Sequence, residues 1–221
     1  MISRKAFVYI LLFFLFKILS ASAEGDPLVT IYRASGPYKV ELAGGSFRDK
    51  DNSTDCASIV DRSSYEVSLP TGAKVKKAYL FWAASGNNVD STVTLNNQSI
   101  TSNNCHQASY IFKGTSYKYY GCYTDVTAFV ETQGNGIYEL KDLTIENGSP
   151  WKDVCGVAGT WFLVIVYEDA TYKKNVTIHG INIYEGFELI RNNTFNDTIS
   201  DFVMGNPVSG YLSYYVSEGD S

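Results

Sequence analysis

The carboxylates of Glu168-Asp169 and of Glu185 with Glu188 are the first side chains whose type and spacing suggest chemistry. Two acids facing each other across a glycosidic bond can act as proton donor and nucleophile or base, so a glycosidase-like pair is one reading. Both acid pairs lie at the ends of apolar runs, where acids also serve as solvated turn residues. The same oxygens suit calcium, a hard cation that takes carboxylate and carbonyl ligands. Asp49, Asp51 and Asp55, on a long polar stretch, are candidates to hold the same ion as Glu168 and Asp169, although no calcium-loop spacing is present. No other cofactor is indicated. The two histidines, His106 and His179, lack an H-x-x-x-H arrangement, and the chain has no Gly-x-Ser-x-Gly elbow. Packing or surface roles are expected for both.

A second group is aromatic. Tyr110, Tyr117, Tyr119, Tyr120 and Tyr123 crowd around Cys105 and Cys122. Tyr rings beside Asn and Thr suit stacking and polar capture of a sugar or a protein partner, whereas alternate tyrosines can also simply cover a sheet. The four cysteines, Cys56, Cys105, Cys122 and Cys155, have no C-x-x-C spacing for a metal and fit two disulfides, with three pairings open. The loop-rich segment between them favours Cys105 with Cys122, which leaves Cys56 with Cys155. Each bridge would contribute about 2–4 kcal/mol.

These groups must be positioned by strands. Thr160-Trp161-Phe162-Leu163-Val164-Ile165-Val166-Tyr167 is too short and too β-branched for a helix, and its apolar residues need burial on both faces, so it reads as a central strand. Tyr65, Val67 and Leu69 alternate with polar residues, as do Tyr38, Val40 and Leu42; Lys74–Ala84 becomes apolar on both faces in its second half and belongs beside the central strand. Asn96-Asn97 and Gly134-Asn135-Gly136 are turn signals. Asp125–Val130 reads as a strand, with a helical turn begun by Asp125 as the alternative. A parity change near Lys141-Asp142 requires a bend. Phe187, Leu189 and Ile190 continue a strand, and Tyr211–Val216 forms a last one. About ten short strands without a dependable helix predict an all-β domain of two packed antiparallel sheets, a jelly-roll-like sandwich.

Residues 1–23 carry Arg4 and Lys5, an apolar run and Ala21-Ser22-Ala23, the pattern of a secretory signal peptide cleaved before Glu24. The remaining 24–221 read as one domain, without a stable membrane span. Of 18 basic residues, Arg4, Lys5 and Lys17 fall in the leader, leaving 15 against 23 acidic ones, a formal charge of −8. That sign disfavours nucleic acid as a partner.

Taken together, Ala78-Tyr79-Leu80-Phe81-Trp82, Val93-Thr94-Leu95-Asn96, Thr124-Asp125-Val126-Thr127 with Gly134-Asn135-Gly136, Trp161–Asp169 and Tyr184-Glu185-Gly186-Phe187 resemble a β-rich domain of large secreted or surface-anchored bacterial proteins. Glu218-Gly219-Asp220 is a further match. The resemblance implies an adhesion-associated surface module that binds an extracellular protein or carbohydrate, with no catalytic residues to carry over. A secreted glycan-acting hydrolase and a structural envelope or filament subunit are the alternatives. Family members continue past the Glu-Gly-Asp element, so a chain ending there reads as truncated, with a sheet edge open to self-association.

Overall fold

A computed structural model describes residues 24–170, 178–190, 198–199 and 210–215. The expected leader, residues 1–23, lies outside the described residues, as do Val216 and Glu218-Gly219-Asp220. In chain order the elements are β1 (Glu24–Gly36), β2 (Tyr38–Ser46), α1 (Asn52–Asp55), β3 (Arg62–Val67), β4 (Lys74–Ser85), β5 (Thr92–Leu95), β6 (Gln98–Thr101), β7 (Asn104–Phe112), β8 (Thr115–Asp125), α2 (Thr127–Gln133), β9 (Gly136–Lys141), a 3-10 turn at Lys152–Val154, β10 (Gly159–Glu168) and β11 (His179–Leu189).

The antiparallel pairs nest: β1 with β11, β2 with β10, β3 with β9, β4 with β8 and β5 with β6. This is the pairing of one long hairpin rolled up on itself, the jelly-roll arrangement, with β7 added as an extra strand on β8. Rolling makes a five-stranded sheet, β2-β10-β4-β8-β7, and a four-stranded sheet, β3-β9-β5-β6. At the tip of the roll, Asn96 and Asn97 both take positive φ, 44° and 67°, as a two-residue hairpin turn requires.

Period-two alternation along β10 decides the layers. Trp161, Leu163, Ile165 and Tyr167 point into the sandwich with Leu80, Trp82, Leu95, Tyr138 and Leu140. Val164 and Val166, with Phe162 at their edge, point the other way. The outermost pair of the roll, β1 and β11, folds back over that second face as a two-stranded arm, and its Ile31, Ile181 and Ile183 meet Tyr79, Phe81, Val164 and Val166. The sandwich therefore carries a third layer, which accounts for a central strand buried on both faces.

Cys105 and Cys122 are directly opposed in the β7–β8 ladder, Cα to Cα 4.1 Å, and form one disulfide; Cys56 and Cys155 form the other. The segment between Cys105 and Cys122 is thus a hairpin and not a loop. Two such bridges are usual in extracytoplasmic proteins.

Two other expectations are corrected. Residues 127–133 are helical, because Asp125 Oδ1 accepts from Thr127 N at 2.9 Å and the i, i+4 pair Val126 and Val130 can then both be buried. Tyr211–Tyr215 joins no ladder among the described residues. The expected bend is present, with Asp142 at φ 62° just beyond β9.

Candidate functional site

Along β11, Ile181, Ile183, Glu185 and Phe187 share the parity that faces the five-stranded sheet, so an acid occupies a position patterned for an apolar residue. Glu185 is only 7 % exposed. Opposite it, β8 supplies Gly121, where an added Cβ would sit 2.7 Å from Phe187 Cδ2. The missing side chain lets the arm lie close. Gly121→Val is therefore expected to lift the arm and destabilise the protein by about 1–3 kcal/mol, with β1 and β11 losing hydrogen-exchange protection before β4 and β10.

The next outward-facing residue on β7, paired with Gly121, is His106. Its Nδ1 lies 2.6 Å from Asp26 Oδ2 on β1. Its Nε2 lies 2.6 Å from Glu185 Oε1, a charge contact when the ring is protonated. An imidazolium can satisfy an acid on each nitrogen at once, whereas neutral imidazole has one N–H only. Burial pushes the Glu185 carboxyl above its ordinary range; the His106 contact works against that, and Asp26 adds to it. Tyr123, on the same face of β8, is likewise raised, first by burial and then by Glu185. Three segments distant in sequence are thereby clasped at one imidazole, and the clasp holds both strands of the arm to the sheet.

Chemically this is a carboxylate–imidazole–carboxylate arrangement. Both ring nitrogens are occupied by acids, so neither is left to activate a nucleophile, and the clasp reads as a positional device. The acids sit on opposite sides of the ring. Among the described residues no three His, Cys, Asp or Glu side chains are placed to hold a metal ion.

The structure separates the other candidate residues. Glu168 meets Lys76 at 3.0 Å, and Asp169 accepts from Lys39 Nζ at 2.7 Å. Asp51 begins α1, accepting from Thr54 N, and Asp55 accepts from Ala57 N. Asp49, Asp51 and Asp55 follow β2 at the start of β10, while Glu168 and Asp169 stand at its end, about 30 Å away along ten residues, so the two groups do not share one ion. Asp55 lines a hollow of about 570 Å3 with Asn52, Thr54, Asn147 and Lys152, whose ammonium is a poor neighbour for a bound cation. Glu185 is six residues along β11 from His179, which sits at Tyr38 opposite Glu168, so Glu185 and Glu168 are also about 20 Å apart.

Nor do the five tyrosines make one platform. Tyr120 points inward, fully buried, with its hydroxyl donating to Thr144 O and its pKa raised by burial. Tyr117 is buried with Trp151 and Val157, and Tyr110 and Tyr119 pack at the margin of that cluster. Tyr123 stacks on Phe81, 5.6 Å between centroids, in the layer under the arm.

The sequence does not disclose the clasp, because the stretch between Cys105 and Cys122 reads as loop-rich and Asp26 lies far away in the chain. The parity of Glu185 between Ile183 and Phe187 was the available signal. Comparison with protein-family models, curated proteins and solved structures gave no match. Among the described residues no helix is long and apolar enough to cross a membrane.

Proposed function

We propose that the mature chain, residues 24–221, is a noncatalytic extracellular module that joins or displays surfaces by binding a protein or carbohydrate partner. The observation that carries this reading is an apolar margin exposed on a rigid scaffold. Val40 and Leu42, on the end strand β2, are 40 % and 45 % exposed, and among the described residues β2 is laddered only to β10, while one disulfide ties the loops beside the sandwich and the other staples the β7–β8 hairpin. The engagement of Glu168 with Lys76, Asp169 with Lys39 and Glu185 with His106 supports the same reading against hydrolysis, since each acid is already engaged by a neighbouring basic side chain. The exposed margin also supports a structural envelope or filament subunit as the second reading.

The test is immobilised mature protein exposed to an array of glycans and to purified extracellular proteins, alongside assays for glycan cleavage. Saturable binding without turnover is the expected result. Release of reducing sugar that disappears in Asp169→Asn or Glu185→Gln would overturn the reading in favour of a hydrolase.

A further inference from the structure

The chain contains two Asn-Gly steps, Asn135-Gly136 and Asn147-Gly148. In such a step the backbone nitrogen of the glycine, with no Cβ beside it, can attack Cγ of the asparagine amide, and how the fold holds the two groups decides whether it does. The two steps are held differently. Asn135 is clamped at both ends of its amide: Oδ1 accepts from Leu69 N and Nδ2 donates to Leu69 O, each at 2.8 Å. Gly136 begins β9 and is laddered opposite Val67. Attack there would break both side-chain bonds and lift the start of a strand.

Asn147-Gly148 lies in the turn before the 3-10 segment, where Asn147, Gly148 and Ser149 are all exposed. Among the described residues a single bond holds the Asn147 amide, from Nδ2 to Ala57 O at 3.1 Å. Gly148 belongs to no ladder; its carbonyl accepts from Lys152 N at 3.0 Å, and its N–H, the attacking group, meets no acceptor among the described residues. A Cβ added at Gly148 would have nothing within 4 Å, so there is room around this backbone for a ring to close.

We propose that Asn147 is a self-modification site, at which the chain's own backbone converts an amide into a carboxylate without an enzyme. The Gly148 nitrogen gives up its proton and bonds to Asn147 Cγ; the Cγ–Nδ2 bond breaks, and the nitrogen takes up that proton and leaves as ammonia. Water then opens the cyclic imide at either carbonyl, leaving aspartate or its backbone-shifted isomer, isoaspartate. Nothing is oxidised or reduced: water is consumed and ammonia released. The change alters a surface feature, because Asn147 and Gly148 line the hollow with Asp55 and Lys152. There the acid and the base balance, and a further carboxylate makes the hollow net negative. It also replaces the donor to Ala57 O by an acceptor, so the bond between this turn and the loop after α1 is lost. A new chain and an aged one thus present different charge and different loop restraint at the same place.

Mature protein kept in warm, mildly alkaline buffer and sampled over weeks tests this, with peptide mapping by mass spectrometry and enzymatic labelling of isoaspartate. Conversion at Asn147 is expected to run about tenfold or more ahead of Asn135, whose clamp and ladder must open first. Ion exchange should resolve an aged form with added negative charge. Gly148→Ala, for which the turn has space, should fold as the parent does and slow the conversion severalfold, because the new methyl group crowds the attacking nitrogen. A synthetic peptide of residues 144–152 gives the pace without the fold. Asn147 left intact when that peptide has converted completely, Asn135 converting as fast as Asn147, or a Gly148→Ala protein converting at the parent's pace would overturn the proposal.

Discussion

Replacing Cys56 and Cys155 together by serine is expected to lower the unfolding free energy by about 4–5 kcal/mol, the larger of the two disulfide effects. The bridge closes a loop of 99 residues, against 17 for Cys105–Cys122, and in the chain-entropy description the longer loop removes more freedom from the unfolded state. By the same relation Cys105→Ser with Cys122→Ser should cost about 3 kcal/mol. The native contacts point in the same direction. The long bridge joins the segment around α1 to the turn before β10, under which Trp151, Val157 and Tyr117 pack. That segment has other anchors: Phe47 is buried, and Arg48 Nη1 donates to Val157 O at 3.0 Å. The double variant should therefore still fold, with a melting point lower by about 8–20 °C for a chain of this size. Urea titration of both variants checks the order; a larger loss from the β7–β8 bridge would show that native strain or residual unfolded structure outweighs loop closure.

Much of this fold was legible because period-two alternation is a local property. The 160–167 run announced burial on both faces, and Tyr65-Glu66-Val67 and Lys74–Ala84 announced their strands, since each side chain's face follows from its neighbours alone. What alternation cannot convey is which strand covers which. The two-faced burial of β10 implied a cover for its second face, yet nothing in the arm residues Ile31, Ile181 and Ile183 marks them as that cover. The same limit explains α2, where Val126 and Val130 satisfy a strand face and a helical i, i+4 pair equally well, and the choice fell to the Asp125 turn.

The site was less legible than the fold. Acids at strand ends draw attention because they are easily seen, but Glu168 and Asp169 sit where lysines of β4 and β2 can reach them. The tyrosines lie near the Cys105–Cys122 bridge in sequence, but alternation along β8 sends Tyr120 to one face and Tyr117, Tyr119 and Tyr123 to the other. The informative residue was the one that broke a pattern. An acid in a row of isoleucine and phenylalanine requires a partner, because an unpaired buried charge is costly.

That requirement makes His106→Ala the most diagnostic change in the arm. Removing one member of a buried pair leaves the other uncompensated, at a cost of about 3 kcal/mol, the low end for such pairs because His106 itself is partly exposed. The pH dependence has a definite sign. A carboxyl whose folded pKa is raised contributes its stability fully below its unfolded value and loses it as pH rises through the folded value. Burial raises Glu185, and His106 opposes that rise, so losing the imidazole raises the carboxyl further and steepens the dependence. The variant should therefore be most damaged at pH 7–8 and recover as the solution is acidified toward the ordinary carboxylate range, about pH 4–5. Adding Glu185→Gln removes the charge that lacks a partner, and the double variant should regain most of the loss at pH 8. Urea titrations of the four proteins of the cycle at pH 5 and pH 8, with hydrogen exchange on β1 and β11, measure the coupling. Equal losses at both pH values, or no rescue by Glu185→Gln, would mean that the arm is held by its isoleucines and Phe187 alone and that the clasp contributes nothing to its docking.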